Sequence, residues 1–331
     1  MDTDLMAILD HYRNLHSMIH AEMAKAVLGQ TQLIDEVLMA LFCNAHVLLT
    51  APRNLTLFTL SRVLGLSINR IQHTDDLLPE DITGSQVLCQ DAVGGQFSKT
   101  YLGPIFANMV LADCFDCAPP VTQSVLLEAM QARQVQVGQQ TLPLKQPFLV
   151  MVMENPPGGQ FPLDESHRGR FMFNACFTIP SEADFLANMQ LHYHEASGFP
   201  PLIETVLSKA DLEQIQMLVR RMPVPQQVVD YTLRLVRLTR PGQQYTPAFV
   251  QDTVNWGVGP RGAQFLLTGA KAHAVLHGQP HVSIGDVRAV APAVLRHRIV
   301  LKASAKDQGL DGNQIVAVLL KLARSDDHEV M

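Results

Sequence analysis

Two stretches of this chain carry residue types that could do chemistry. The first is Cys114-Phe115-Asp116-Cys117, set directly behind Asp113 and the apolar run Met109-Val110-Leu111-Ala112. Two thiols at this spacing could cycle between dithiol and disulfide or supply half of a metal site. Only one such pair occurs, and Cys43, Cys89 and Cys176 stand alone, so two small residues filling the position is the plainer reading. The second stretch is Ala51-Pro52-Arg53-Asn54-Leu55-Thr56-Leu57-Phe58. It follows the strand-like run His46–Thr50 and leads into a helical pattern, which is where a loop for nucleotide phosphates would sit. Such a loop needs glycines so that backbone N–H groups can wrap the phosphates, a lysine for the β and γ phosphates, and a Ser or Thr on magnesium. No glycine occurs from Ala51 to Leu64, and no lysine between Lys25 and Lys99. Leu57 and Phe58 fill the slots for charge and hydroxyl, where a phosphate would lose water without gaining a counter-ion.

Histidines offer a third chemistry. His273 and His277 stand four apart on a predicted helix face, and His192, His194 and Glu195 form another group. With 13 histidines in the chain such pairs arise by chance, and without a third convergent ligand no metal site is expected.

The elements that must position these residues change character once. Up to about Pro180, short apolar runs alternate with helical patterns, the signature of βαβ units and a parallel sheet. The predicted strands are His46–Thr50, Ile68–Thr74, Met109–Cys114, Phe148–Glu154 and Cys176–Pro180. Continuous apolar character suits strands buried on both faces. Between the third and fourth, Gln134–Gln146 reads as a β-hairpin turning at Gly138. After Pro180 no strand is expected. Gly198-Phe199-Pro200-Pro201 breaks the chain before amphipathic helices near Lys209–Arg221, Pro225–Leu238, Arg261–His277 and Ile284–Arg296, with Ser283 and Asp286 spaced as a capping pair.

Bulk properties narrow the function. The 331 residues, 47% of them hydrophobic, suffice for two packed domains. A net charge of −6 with scattered Lys and Arg offers no footprint for nucleic acid or anionic membrane, so protein partners are expected. No apolar run reaches 18 residues, and the start Met1-Asp2-Thr3-Asp4 is acidic where a secretory signal would be basic. A cytoplasmic chain with reduced thiols is the expectation.

From Val27 to about Leu322 the chain resembles the MoxR family of AAA+ ATPases, segment by segment and in order. The matching segments include Val27-Leu28-Gly29-Gln30, His46-Val47-Leu48-Leu49, Asp76 to Gly84, Gly103-Pro104-Ile105-Phe106-Ala107-Asn108 and Leu111-Ala112-Asp113. They continue through Ala118-Pro119-Pro120, Leu126 to Gln131, Trp256-Gly257 with Pro260-Arg261, and Ala291 to Arg298. The resemblance implies an α/β P-loop NTPase fold: a parallel αβα sandwich in residues 1–200, with the hairpin inserted at about 134–146, and a smaller all-helical lid in residues 201–331.

Carried over by position, the resemblance places the family's Walker A loop on Ala51–Phe58, about one helical turn short before Gly65. It places the magnesium-holding aspartate on Asp113, and Cys114 where the catalytic glutamate belongs. The sensor-one residue falls on Asn155, the arginine finger on Arg170 and the sensor-two arginine on Arg261. Losing a general base costs about 10² to 10⁴ in rate. The expected function is a chaperone-like assembly or remodelling subunit without ATP turnover, whose Arg170 could serve the nucleotide of a neighbour. Its implied partners are AAA+ ring subunits, identical or active homologues, and von Willebrand A domain proteins. ATP and magnesium are expected to bind weakly if at all. One alternative is a divergent active ATPase, using Asp116 or Glu154 as base and Arg53 or Arg62 as phosphate cation. Another is a thiol or metal module at Cys114 and Cys117. Arg170 and Arg261 could also be structural ion-pair residues.

Overall fold

The apolar runs of the first half become strands because side chains on both of their faces are enclosed. The structure, a computed structural model, describes residues 2–50, 54–90, 96–154, 159–177, 179–196, 202–243 and 246–325. In chain order, α1 (Asp2–Ala24) and α2 (Thr31–Phe42) precede β1 (Val47–Thr50), α3 (Asn54–Val63), β2 (Ile68–Gln72) and α4 (Pro79–Thr83). Next come β3 (Gly84–Gln90), β4 (Gln96–Leu102), β5 (Met109–Asp113), α5 (Pro120–Ala132), β6 (Gln134–Val137), β7 (Gln140–Pro143) and β8 (Leu149–Met153). The core half closes with α6 (Glu165–Arg168), β9 (Phe173–Cys176) and α7 (Glu182–Ala196). The second half holds α8 (Lys209–Arg221), α9 (Gln226–Leu238), α10 (Ala248–Thr253), β10 (Val254–Trp256), α11 (Pro260–Leu276), α12 (Ile284–Leu295), β11 (Val300–Leu301), α13 (Ala303–Asp307) and α14 (Gly312–Ser325).

The main sheet runs β2-β5-β8-β1-β9, and every neighbouring pair is parallel. Its side chains alternate between two cores, as a period of two requires. Val47, Leu49, Met109, Leu111, Leu149 and Met151 join α1, α2, α3 and the lid helices. Leu48, Val110, Ala112, Val150 and Val152 join α5 and the hairpin residues Val135 and Val137. This is the expected three-layer sandwich, with the lid packed on one face.

The structure corrects the expected elements in three places. The last strand is Phe173–Cys176 rather than Cys176–Pro180, because Val47 to Thr50 pair with Phe173 to Cys176 and Phe177 N–H makes the final ladder bond to Thr50 O. A second hairpin, β3–β4, stands before β5 with Gly84 opposite Leu102. Strands also occur after Pro180: β10 and β11 pair antiparallel, joining the chain before α11 to the chain after α12. The hairpin at 134–146 forms as expected, with Val137 opposite Gln140. Helix α8 has the expected bounds, and the Ser283–Asp286 capping box is made: Ser283 Oγ accepts Asp286 N–H at 3.2 Å and Asp286 Oδ2 accepts Ser283 N–H at 2.8 Å. Among the described residues no helix is long and apolar enough to cross a membrane.

Candidate functional site

In a parallel sheet the natural ligand site lies beyond the carboxyl ends of the strands. Here the end of the interior strand β1 and the start of α3 are separated by residues 51–53 alone. Ala51, Pro52 and Arg53 lie outside the described residues, as does the side chain of Asn54. Of the rest of the singled-out loop, Leu55 to Phe58 are already helical. Leu57 is 2% exposed and packs in the core with Leu49 and Leu60, so it faces the core and not the strand ends. Arg62, weighed as a substitute cation, is in the last turn of α3, about 12 Å along the axis from Asn54. Beside the first turn, Leu55, Thr56, Val27, Leu28, Gln30 and Phe177 enclose a cavity of about 20 Å³, room for one water. Thr56 Oγ1 has no partner among the described residues.

Two strands away, Asp113 ends β5 with its carboxylate buried. Arg70 of β2 holds it: Arg70 Nε donates to Oδ2 at 2.9 Å, and one terminal nitrogen makes a closer contact with the same oxygen. Arg70 and Gln72 lie on one face of β2, two residues apart, and Arg70 also donates to Gln72 Oε1 at 2.6 Å. Gln72 Nε2 in turn lies 3.2 Å from Cys114 Sγ. Cys114 takes a left-handed conformation (φ 52°, ψ 44°) that starts the one-turn 3₁₀ helix Phe115–Cys117. Burial and the neighbouring Asp113 carboxylate push its thiol pKa upward.

The two carboxylates considered as substitute bases are engaged elsewhere. Asp116 is fully buried and accepts Gly159 N–H with its side chain and Phe161 N–H with its carbonyl. Glu154 pairs with Arg168 at 2.6 Å and accepts Leu163 N–H at 3.2 Å. Burial raises its pKa against the opposing pull of Arg168. Asn155 lies outside the described residues. Arg170, between α6 and β9, donates to Leu127 O at 3.3 Å, and Arg261 is exposed in the first turn of α11. Neither forms an ion pair among the described residues. A cleft of about 420 Å³ runs from Glu165, Ser166 and Gly169 past Arg261 to His297 and Arg298.

Comparison with known proteins decides what this arrangement belongs to. Residues 46–173 match the ATPase family associated with various cellular activities, and residues 248–318 match the AAA lid domain. Chaperone MoxR1 of Mycobacterium tuberculosis is 37% identical over 290 residues, 86% of this chain and 75% of the relative. The chain belongs to the MoxR family of AAA+ ATPases. YeaC of Bacillus subtilis is 31% identical over 306 residues, 91% of each chain. The crystal structure of an ATPase candidate from Cytophaga hutchinsonii superposes with a TM-score of 0.86 at 30% identity, covering 95% of this chain and 96% of that one.

Within this MoxR chain, the structure gathers Asp113 and Cys114 with two residues the sequence reading did not single out, Arg70 and Gln72. The available signal was a polar pair at alternate positions in a strand whose other side bears Ile71. A raised thiol pKa is the opposite of what a reactive cysteine needs, and all five cysteines are free thiols. His273 and His277 do stack, with centroids 4.0 Å apart. However, His273 Nδ1 bonds Asp286 at 2.6 Å and His277 Nδ1 bonds the His273 carbonyl at 2.8 Å. Asp286 reaches His273 alone, and no group converges with both rings among the described residues. The side chains of His192, His194 and Glu195 lie outside the described residues.

Proposed function

We propose that this chain is a non-catalytic MoxR-type subunit: a chaperone-like assembly or remodelling protein that joins an AAA+ ring without turning over ATP at its own site. The observation that carries this reading is the Arg70–Asp113 pair. The carboxylate that would hold magnesium is already paired with a guanidinium, which neutralises its charge and occupies Oδ2, leaving Oδ1 only the Cys114 thiol 3.6 Å away among the described residues. Three further features point the same way. The loop between β1 and α3 is three residues long, too short to wrap a triphosphate in the Walker manner. The cavity beside α3 is far below the roughly 300–1,000 Å³ of an ordinary ligand pocket. Neither Asp116 nor Glu154 is free to act as base. The residues at the strand ends therefore do not fit a magnesium–nucleotide complex, and no hydrolytic step runs through one here.

Arg170 and Arg261 fit a role toward other molecules better than a structural one, since no carboxylate pairs with either among the described residues. In this reading Arg170 completes the nucleotide site of a neighbouring ring subunit. The partners are AAA+ ring subunits, identical or active homologues, and von Willebrand A domain proteins. The competing reading, a divergent active ATPase, rests on the family itself. ATPase assay and nucleotide titration of the pure protein separate the two: no turnover is expected, and turnover abolished by Asp113→Ala would sink the proposal. Mixing with an active MoxR relative should raise the relative's rate, and Arg170→Ala should remove the gain. If mixing changes nothing, the service to a neighbour is refuted.

A further inference from the structure

The packing of α1 on α2 brings together three groups that no single helix displays. His16 and His20 are four apart, so both rings project from one face of α1. Asp35 comes from α2, and all three side chains are partly buried, 15%, 21% and 28% exposed. Asp35 Oδ1 is 2.7 Å from His16 Nε2 and 2.7 Å from His20 Nε2, and the two nitrogens are 3.0 Å apart.

Hydrogen bonds alone satisfy this triangle poorly. If both Nε2 atoms donate to the carboxylate, two N–H groups crowd side by side with their nitrogens 3.0 Å apart, and the donors subtend only about 67° at the oxygen. If one nitrogen donates to the other, the acceptor has no hydrogen left for Asp35. A single cation bound to three lone pairs satisfies every contact at once. Zinc bonds to nitrogen and carboxylate oxygen of about 2.0–2.2 Å in a tetrahedron set the ligand atoms about 3.3 Å apart. The three distances here fall within about 0.6 Å of that value, a gap that small ring rotations close. Partial exposure leaves the fourth corner to solvent.

We propose that His16, His20 and Asp35 form a binding site for a zinc-class transition metal, with a water as fourth ligand, that staples α1 to the sandwich core. Two imidazoles and one carboxylate select zinc and its neighbours over magnesium or calcium, which prefer oxygen alone. The consequence reaches beyond α1. That helix packs on α3 of the core and α11 of the lid, and Tyr12 Oη donates to Gln214 Oε1 of α8 at 2.8 Å. The His277 ring at the end of α11 lies 6.1 Å from His16. A metal there fixes a helix that bridges core and lid, independently of nucleotide.

The test is zinc titration of the chelator-stripped full chain, competed against a chromophoric chelator. One zinc per chain is expected. The His16→Asn/His20→Asn double variant should lose more than the roughly 100-fold typical of changes to groups that merely support a ligand, while Cys114→Ser/Cys117→Ser should bind as the parent does. Saturating zinc should raise the melting temperature of the parent and leave that of the double histidine variant unchanged. Absence of stoichiometric zinc, or undiminished zinc affinity in the histidine variant, overturns the proposal. Should that variant fail to fold, cobalt in the parent decides instead. A tetrahedral spectrum without thiolate charge transfer supports the site, and an octahedral or thiolate spectrum refutes it.

Discussion

Lowering the pH from 7 to 5 should cost this protein about 2 kcal/mol of stability through one residue, His46, at the entry to β1. Its ring is enclosed, and its tautomer is set by its neighbours. Val150 N–H donates to Nδ1 at 3.0 Å, so Nδ1 carries a lone pair, and Nε2 donates to Met130 O at 3.1 Å. A second proton would have to go on Nδ1, setting N–H against N–H without water, beside the Arg133 guanidinium. Burial, reinforced by Arg133, pushes the pKa down to about 3. In the unfolded chain it returns to about 6.5. The unfolded state therefore takes up a proton first, and the stability of the native state is intact above pH 6.5 and falls as the pH drops toward 3. Between pH 7 and 5 the loss is about 1.5 pH units at about 1.36 kcal/mol each. The assay is urea unfolding at several pH values for the parent and for His46→Asn, whose Oδ1 can still accept from Val150. The variant should start less stable but lack this part of the pH slope. Parallel slopes for the two proteins would refute the assignment of the uptake to His46.

Other substitutions test the strand-end geometry. Leu57→Lys, which restores the missing charge by sequence position, should cost several kcal/mol and yield no nucleotide affinity, because the side chain enters a closed core. A stable Leu57→Lys protein that binds ATP by calorimetry would overturn the reading of α3. Arg70→Ala should lose about 1–2 kcal/mol in chemical denaturation, moderated because the guanidinium is 42% exposed. Gly84→Ala should destabilise by about 2–3 kcal/mol and raise amide exchange in β3 and β4, since Gly84 has φ 98° and a Cβ would collide with the Tyr101 carbonyl oxygen. Ser283→Ala should cost about 1 kcal/mol in thermal unfolding, by loss of the cap on α12.

Much of the fold was legible because it follows from local periodicity. Met109 to Ala112 and Leu149 to Met153 are apolar without a break, and they became the two strands buried on both faces. The cap at Ser283 and the turn at Gly138 were readable for the same reason: each depends on residues within four positions. The last strand was misplaced because Phe171 to Phe177 and Cys176 to Pro180 look alike as short apolar runs, and only pairing with Val47 to Thr50 chooses between them. The β3–β4 hairpin escaped because Val87 and Leu88 are adjacent and break the alternation, and both are exposed.

By itself the sequence determined which residues are absent: no glycine and no lysine could serve phosphates between β1 and the end of α3, whatever the fold. It also determined the faces of the helices and the order of the parts. Only the tertiary structure decided what meets what. It turned Leu57 inward, set Arg70 against Asp113 from a strand 43 residues away, and brought Asp35 between His16 and His20. The reason is physical: periodicity records which side of an element is buried, while the match of one element to another rests on packing and register summed over the whole core.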